Sequence, residues 1–310
     1  MNKRKLAILC MMASISVIHA EKITLAPNWT KGETKQYYAE EYTDTTKTNS
    51  VDMTIEVLDK NDGYKMSCTY SKHQDFTGMI EMAKTLIGEE IFNKIENFVP
   101  KYTVTKEGVI SSADNFKEYQ EIFNVSQDTT SDNFSGMMKG MMSTIMKSMV
   151  AADEKGFMEL NLKEVLAMHK FFGATYDTET ENHGKLNVSV QTINFGDADA
   201  IIKVSKSDNR INITATSKLS TKECAEALTA WMNKYTESIA QESEMPLDSK
   251  EISKKTKEAV KEFKKAKIST EVEETATYDA GTGWLLNFKS VQKFKSVDGE
   301  KSETLIVTAR

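Results

Sequence analysis

Two runs of period-two alternation lie close together in this chain. Met53, Ile55 and Val57 share one face, Tyr64, Met66, Cys68 and Tyr70 share one face, and Asp59-Lys60-Asn61-Asp62-Gly63 separates them. Successive side chains of a strand point to opposite sides, so each run puts its apolar residues on one side, and the Gly-ended polar stretch between them makes a β-hairpin. The preceding stretch Lys35 to Thr48, rich in Tyr and Thr, reads as a third strand. Then the period changes. Phe76, Ile80, Ala83, Ile87, Ile91, Ile95 and Phe98 follow helical spacing until Pro100 stops it. Tyr102, Val104, Val109 and Ile110, around a turn at Gly108, return to strand.

The same order recurs. Ala200, Ile202 and Val204 alternate, Ser207-Asp208-Asn209 turns, and Ile211, Ile213 and Ala215 alternate again; a shift of 147 residues lays Met53 on Ala200 and Tyr64 on Ile211 with the faces in phase. Ser220 with Glu223 forms a capping box that opens the next helix. Strands close the chain around Val272 to Tyr278, Trp284 to Phe288 and Leu305 to Val307. The pattern is that of a degenerate duplication: residues 21–114 form a first unit, 115–184 a helical insert and linker, and 185–310 a second unit. Within the insert, Asn115 with Glu118 and Asn161 with Glu164 mark helix starts, and Thr178 to Gly184 reads as the linker.

Residues 1–20 read as a cleavable secretory signal: Lys3, Arg4 and Lys5, then an apolar core from Leu6, then Ile18-His19-Ala20 before a cut between Ala20 and Glu21. The apolar run is too short to span a membrane, and no later segment qualifies. Cys10 lies inside that core rather than after it, which argues against a lipid anchor. The expected location is therefore periplasmic or secreted, in a bacterium. A balance of 40 basic to 46 acidic residues, net −6, argues against a nucleic-acid binder. In an oxidising compartment Cys68 and Cys224 either form one disulfide or stay as two buried thiols.

Signatures of catalysis are missing. No nucleophile elbow, His-Glu-x-x-His, phosphate loop or Cys-x-x-Cys is present, and His73, His169 and His183 each read as a surface or boundary residue without a second ligand at metal spacing. Glu40-Glu41 and Glu273-Glu274 point to opposite faces of their strands and cannot form a catalytic pair. The expectation is no enzyme activity, no cofactor and no metal.

The most unusual segment holds Met137, Met138, Met141, Met142, Met146 and Met149. Met138, Met141, Ile145 and Met149 share one helical face. Unbranched thioethers fill core gaps, line adaptable surfaces for apolar ligands or partner helices, or ligate Cu(I). The lysine-rich stretch 250–267, capped by Asp248 and Glu251 and striped by Ile252, Ala259, Val260 and Phe263, reads as a helix on the sheet with a solvated lysine face.

Three short motifs carry a resemblance: Trp29-Thr30-Lys31-Gly32-Glu33, the hairpin Lys106 to Asn115, and Tyr278-Asp279 leading to Gly283-Trp284. With the order of elements, they resemble uncharacterised periplasmic or secreted β-rich proteins of Bacteroidota. The architecture is also similar to lipoprotein-carrier half-barrels, in which a curved antiparallel sheet holds helices on its concave side and leaves an apolar pocket. The expected fold is α+β: two related curved antiparallel sheets, half-barrel-like repeats, with helices packed against them. Two functions fit. One is a non-enzymatic envelope or secreted protein binding an apolar, lipid-like ligand through Met138, Met141, Ile145 and Met149. The other is an envelope interaction module with a fully packed core and a protein partner.

Overall fold

In the computed structural model, which describes residues 21–71, 89–129, 153–190, 193–242, 258 and 260–310, the alternating runs become strands of one large sheet. The strands are β1 (Lys22–Thr24), β2 (Thr34–Thr43), β3 (Thr46–Lys60), β4 (Gly63–Tyr70), β5 (Lys101–Thr105), β6 (Ile110–Ala113), β7 (Thr175–Asp177), β8 (Asn182–Val190), β9 (Ile193–Ser207), β10 (Arg210–Leu219), β11 (Ser269–Asp279), β12 (Leu285–Ser296) and β13 (Gly299–Ala309). The helices are α1 (Glu89–Glu96), α2 (Phe116–Thr129), α3 (Glu154–Asn161), α4 (Lys163–His169) and α5 (Thr221–Glu242). A short helical segment covers 260–265.

An antiparallel sheet of 11 strands runs β6-β5-β4-β3-β2-β13-β12-β11-β10-β9-β8, and β1 pairs with β7 in a separate two-stranded sheet. The α+β class and the antiparallel strands match the sequence. The two halves are not separate sheets, however: β13 pairs with β2, with Val307 opposite Ala39, and merges them. Alternation fixes which face of a strand is buried and leaves its neighbour open. Two smaller expectations also change. The stretch 35–48 is two strands, turned at Asp44 with φ 53°, and Asn182 to Gly184 opens β8 rather than closing a linker.

One face of the sheet carries the core. Ile213, Ala276, Phe288, Val307 and Ala39 lie side by side on five successive strands and all are buried. Each large apolar side chain taken from water there contributes about 1.5–3 kcal/mol. The sheet curls toward this face. On a flat sheet β8 and β12, four strands apart, would be separated by roughly 19 Å, yet Cα atoms of the two approach within 8 Å. Small inward residues allow that curvature: Ala198 and Ala200 on β9, Ala215 on β10 and Ala276 on β11. A register shift between Val188 and Ser189, opposite Gly196 at φ 84°, bends the edge further.

The ends of the curled sheet differ. At one end lie the turns 61–62, 106–109, 208–209 and 280–284, together with β1 and β7. Here Trp29 is 2% exposed and stacks on Trp284 with ring centroids 4.5 Å apart, while Tyr64 and Phe172 meet it edge-on. Backbone ties fix this plug: Asn28 N–H donates to Thr282 O at 2.9 Å, Tyr64 Oη to Pro27 O at 2.9 Å and Lys60 Nζ to Trp29 O at 2.7 Å. At the opposite end β4, β6 and β10 run out, α2 and α5 begin, and the chain re-enters the sheet after α1 through β5. The Ser220–Glu223 box is made as expected, with Ser220 N–H donating to Glu223 Oε2 at 2.8 Å and Glu223 N–H to Ser220 Oγ at 3.4 Å. Phe263 packs on Phe195 of β9, and Lys261, Lys264 and Lys265 beside it face solvent, as the lysine-rich pattern requires.

Candidate functional site

Helices α3 and α4 lie on the inner face of the sheet. Asp153 caps α3 by accepting from Gly156 N–H at 2.7 Å, and Phe157 is buried among Phe98, Phe116 and Tyr119. Asn161, expected to begin a helix, instead ends α3, its Nδ2 donating to Phe157 O at 3.1 Å. In α4 the buried residues are Glu164, Val165, Met168 and His169, which share one helical face.

That face and its flanks are tied to four distant parts of the sheet. Lys163 Nζ pairs with Glu41 Oε1 of β2 at 2.7 Å. Tyr70 Oη of β4 donates to Glu164 Oε2 at 3.3 Å. Tyr278 Oη of β11 donates to Met168 O at 2.9 Å. His169 Nδ1 lies 2.8 Å from Gly108 O in the β5–β6 turn. Just past the helix, Lys170 Nζ pairs with Glu274 Oε1 of β11 at 2.6 Å, and Ser290 Oγ of β12 donates to the same oxygen at 3.3 Å. Glu274 and Ser290 are cross-strand neighbours, and the row continues through Leu305 to Glu41. A polar seam thus crosses an otherwise apolar inner face.

Burial sets the protonation of the seam and of the core groups around it. Desolvation pushes the Cys68 thiol up to about 12 and raises Tyr37, Tyr70, Tyr102 and Tyr278 well above the usual phenol range. It also raises Glu164, with the Glu41 charge adding to the effect. Burial lowers His169 to about 4. A neutral imidazole facing a carbonyl donates through Nδ1, so His169 holds the Gly108 turn. The expectation of a surface or boundary histidine therefore fails for His169, whereas His183 is exposed on β8.

These groups form a tightly tied surface in which Glu164, His169 and Glu274 are buried while Lys163 and Lys170 reach solvent. Burial keeps the Cys68 thiol protonated at neutral pH, and His169 Nδ1 is committed to Gly108 O. Cys68 and Cys224 are both free and buried, so the disulfide that the sequence allowed is not formed. Among the described residues no three His, Cys, Asp or Glu side chains gather as a metal site. Within the same set no helix is long and apolar enough to cross a membrane. Among the described residues, the buried polar atoms without a hydrogen-bond partner include Trp29 Nε1, Tyr37 Oη, Tyr102 Oη and Glu274 Oε2. Of the residues singled out from sequence, Met138, Met141, Ile145 and Met149 lie outside the described residues, as do Ala20 and the rest of the signal segment. Glu21 precedes β1; its carbonyl accepts from Thr178 N–H at 3.1 Å and its carboxylate meets Lys206 at 3.1 Å.

The three short motifs of the sequence come together at the plugged end. Trp29 stacks on Trp284, Trp284 Nε1 donates to Glu33, and His169 and Phe172 link this pair to Gly108. Lys170 and Glu274, by contrast, carried no sequence signal as a pair. The nearest clue was alternation in β11, which correctly turns Glu273 outward and Glu274 inward.

No family model matches the chain, and no curated protein matches it. Among solved structures, a conserved hot dog fold protein of unknown function from Alicyclobacillus acidocaldarius aligns at 7% identity over 96% of this chain and 84% of its own, with a TM-score of 0.12.

Proposed function

We propose that this chain is exported by the signal of residues 1–20, cleaved after Ala20, and works in the bacterial envelope or outside it as a non-enzymatic holder of an apolar, lipid-like ligand. The ligand sits between the inner face of the sheet and the helices. One observation carries this reading: the sheet curls around a single apolar face, plugged by Trp29 at one end and bordered at the other by α1, α2 and α5. A concave apolar sheet face covered by short helices is the kind of surface on which sites for apolar ligands are built.

The non-enzymatic part is supported by the buried, deactivated state of Cys68 and His169. The duplication is supported by the matching course of the halves. In each, a helical excursion follows the strand that completes the hairpin, α1 after β4 and α5 after β10. The half-barrel resemblance and the kinship with periplasmic Bacteroidota proteins belong to the same proposal.

The test is native mass spectrometry of protein purified from its own host, followed by organic extraction. A bound amphiphile, or a rise in Tm on adding fatty acids or phospholipids, is the expected result. A ligand-free mass with an unchanged Tm refutes the proposal, and co-purification of a stoichiometric protein partner favours the interaction module instead.

A further inference from the structure

Among the described residues, Glu274 is the buried carboxylate of the inner face that keeps a bare oxygen. Its Oε1 takes both Lys170 Nζ at 2.6 Å and Ser290 Oγ at 3.3 Å, while Oε2 is buried and takes nothing. The Glu274 side chain is 3% exposed and that of Lys170 26%, so the carboxylate is dry and the ammonium reaches toward solvent. The pair is neutral as a unit. Its neighbours on the seam, Lys163 with Glu41, form another neutral unit.

We infer that Glu274 Oε2 is the polar anchor of the inner face, taking a hydrogen bond from an uncharged donor, a hydroxyl or amide, on the head of a single-chain amphiphile whose tail lies along the apolar strands. This rests on the proposed ligand-holding function and specifies its substrate class. An anionic head beside Oε2 meets a second negative charge where little water screens it. A cationic head leaves the buried site with a net charge. A neutral donor completes the carboxylate and keeps the site uncharged, and such charge-assisted bonds are the stronger class. Lys170 then acts as a positioning residue, holding Oε1 together with Ser290 and leaving Oε2 for the ligand.

The experiment compares oleyl alcohol with oleate at pH 8.5, where oleate is ionised, by displacement of a fluorescent naphthylamine probe from the delipidated full chain. The wild type is expected to bind the alcohol about tenfold more tightly. Glu274→Gln keeps the shape, removes the negative charge and leaves the Lys170 ammonium unpaired, so the preference turns toward oleate. The Glu274→Gln/Lys170→Met double variant loses both charges and treats the two probes alike within about twofold. Circular dichroism and melting confirm that each variant is folded, and the wild-type preference is read without any variant. Equal affinities in the wild type, or a preference that Glu274→Gln leaves unmoved, overturn the anchor while the apolar holder survives. Failure of both probes to bind the wild type overturns the ligand-holding proposal and the anchor with it.

Discussion

Replacing Trp29 by alanine removes the plug from the closed end of the curled sheet. The indole is 2% exposed, stacks on Trp284 at 4.5 Å and is met edge-on by Tyr64 at 5.1 Å and by Phe172 at 6.0 Å. Truncating a buried Trp to Ala costs about 3–5 kcal/mol, and each aromatic pair adds about 0.5–1.5 kcal/mol beyond its buried area. One term opposes these: Trp29 Nε1 has no partner, so removing it relieves a desolvation penalty of about 1–3 kcal/mol. The aromatic term, about 1.5–4.5 kcal/mol over three pairs, and this relief largely cancel, leaving a net loss of about 3–5 kcal/mol. At this chain length each kcal/mol moves Tm by about 2–4 °C, so Trp29→Ala should melt roughly 6–20 °C below wild type. Trp29→Phe keeps a ring against Trp284 and removes the orphaned N–H, and should cost no more than about 1–2 kcal/mol. Urea titration and calorimetry read both, with Val297→Ala, 61% exposed, as a control expected within about 0.5 kcal/mol of wild type. A Trp29→Ala loss under about 1 kcal/mol, or a Trp29→Phe loss equal to it, refutes the plug.

Three further outcomes are expected. At Gly108, φ is +90° and an added Cβ would lie 2.2 Å from Phe172 Cδ1, so Gly108→Ala should cost at least about 2 kcal/mol in urea unfolding; a loss under about 0.5 kcal/mol would show that the turn relaxes freely. His169 binds its proton near 4 when folded and near 6.5 when unfolded, so its stabilising contribution is complete above the unfolded value and is lost as pH falls toward 4. Between pH 7.5 and 4.5 that loss is about 2.5 kcal/mol at about 1.4 kcal/mol per unit, and a His169→Gln variant with the same pH dependence as wild type would refute it. Both cysteines, free and buried, should resist an aromatic disulfide reagent in the native protein and react as two thiols in denaturant, whereas a chain that shows no thiols in denaturant would mean that they pair.

The hairpins were legible because strand alternation encodes burial directly, as Met53, Ile55 and Val57 against Tyr64, Met66 and Cys68 show. The α5 start was legible because Ser220 and Glu223 satisfy the helix end within a few residues of sequence. The turn at Asp44 was not, since Lys35 to Thr48 is polar throughout its middle and offers no Gly or Pro to break the run. The β2–β13 pairing was invisible for a different reason: inward and outward faces agree with many possible neighbours. The seam under α4 was least legible of all. Lys170 finds Glu274, and Tyr70 finds Glu164, only after separate stretches of chain fold onto one face, and neither pair has a local spacing to betray it. The short motifs around Trp29, Gly108 and Trp284 were visible as motifs, but their meeting as one plug is a property of the fold.

The pairing of β2 with β13 also governs when the molecule is vulnerable. Residues 37–43 and 303–309 form the middle of the sheet, so its central ladder depends on contacts of very large sequence separation. Folds dominated by such contacts assemble slowly, because the loop entropy must be spent before the contacts form. Each half can zip its own hairpins first, and at that stage β2 and β13 are both raw edges, β2 carrying Tyr37, Tyr38 and Tyr42 and β13 the run Thr304 to Thr308. Edges of that kind recruit strands from other molecules. The period between hairpin formation and central closure is therefore when this chain is most exposed to aggregation, and a holdase acting during folding would do most good by covering β2 or β13.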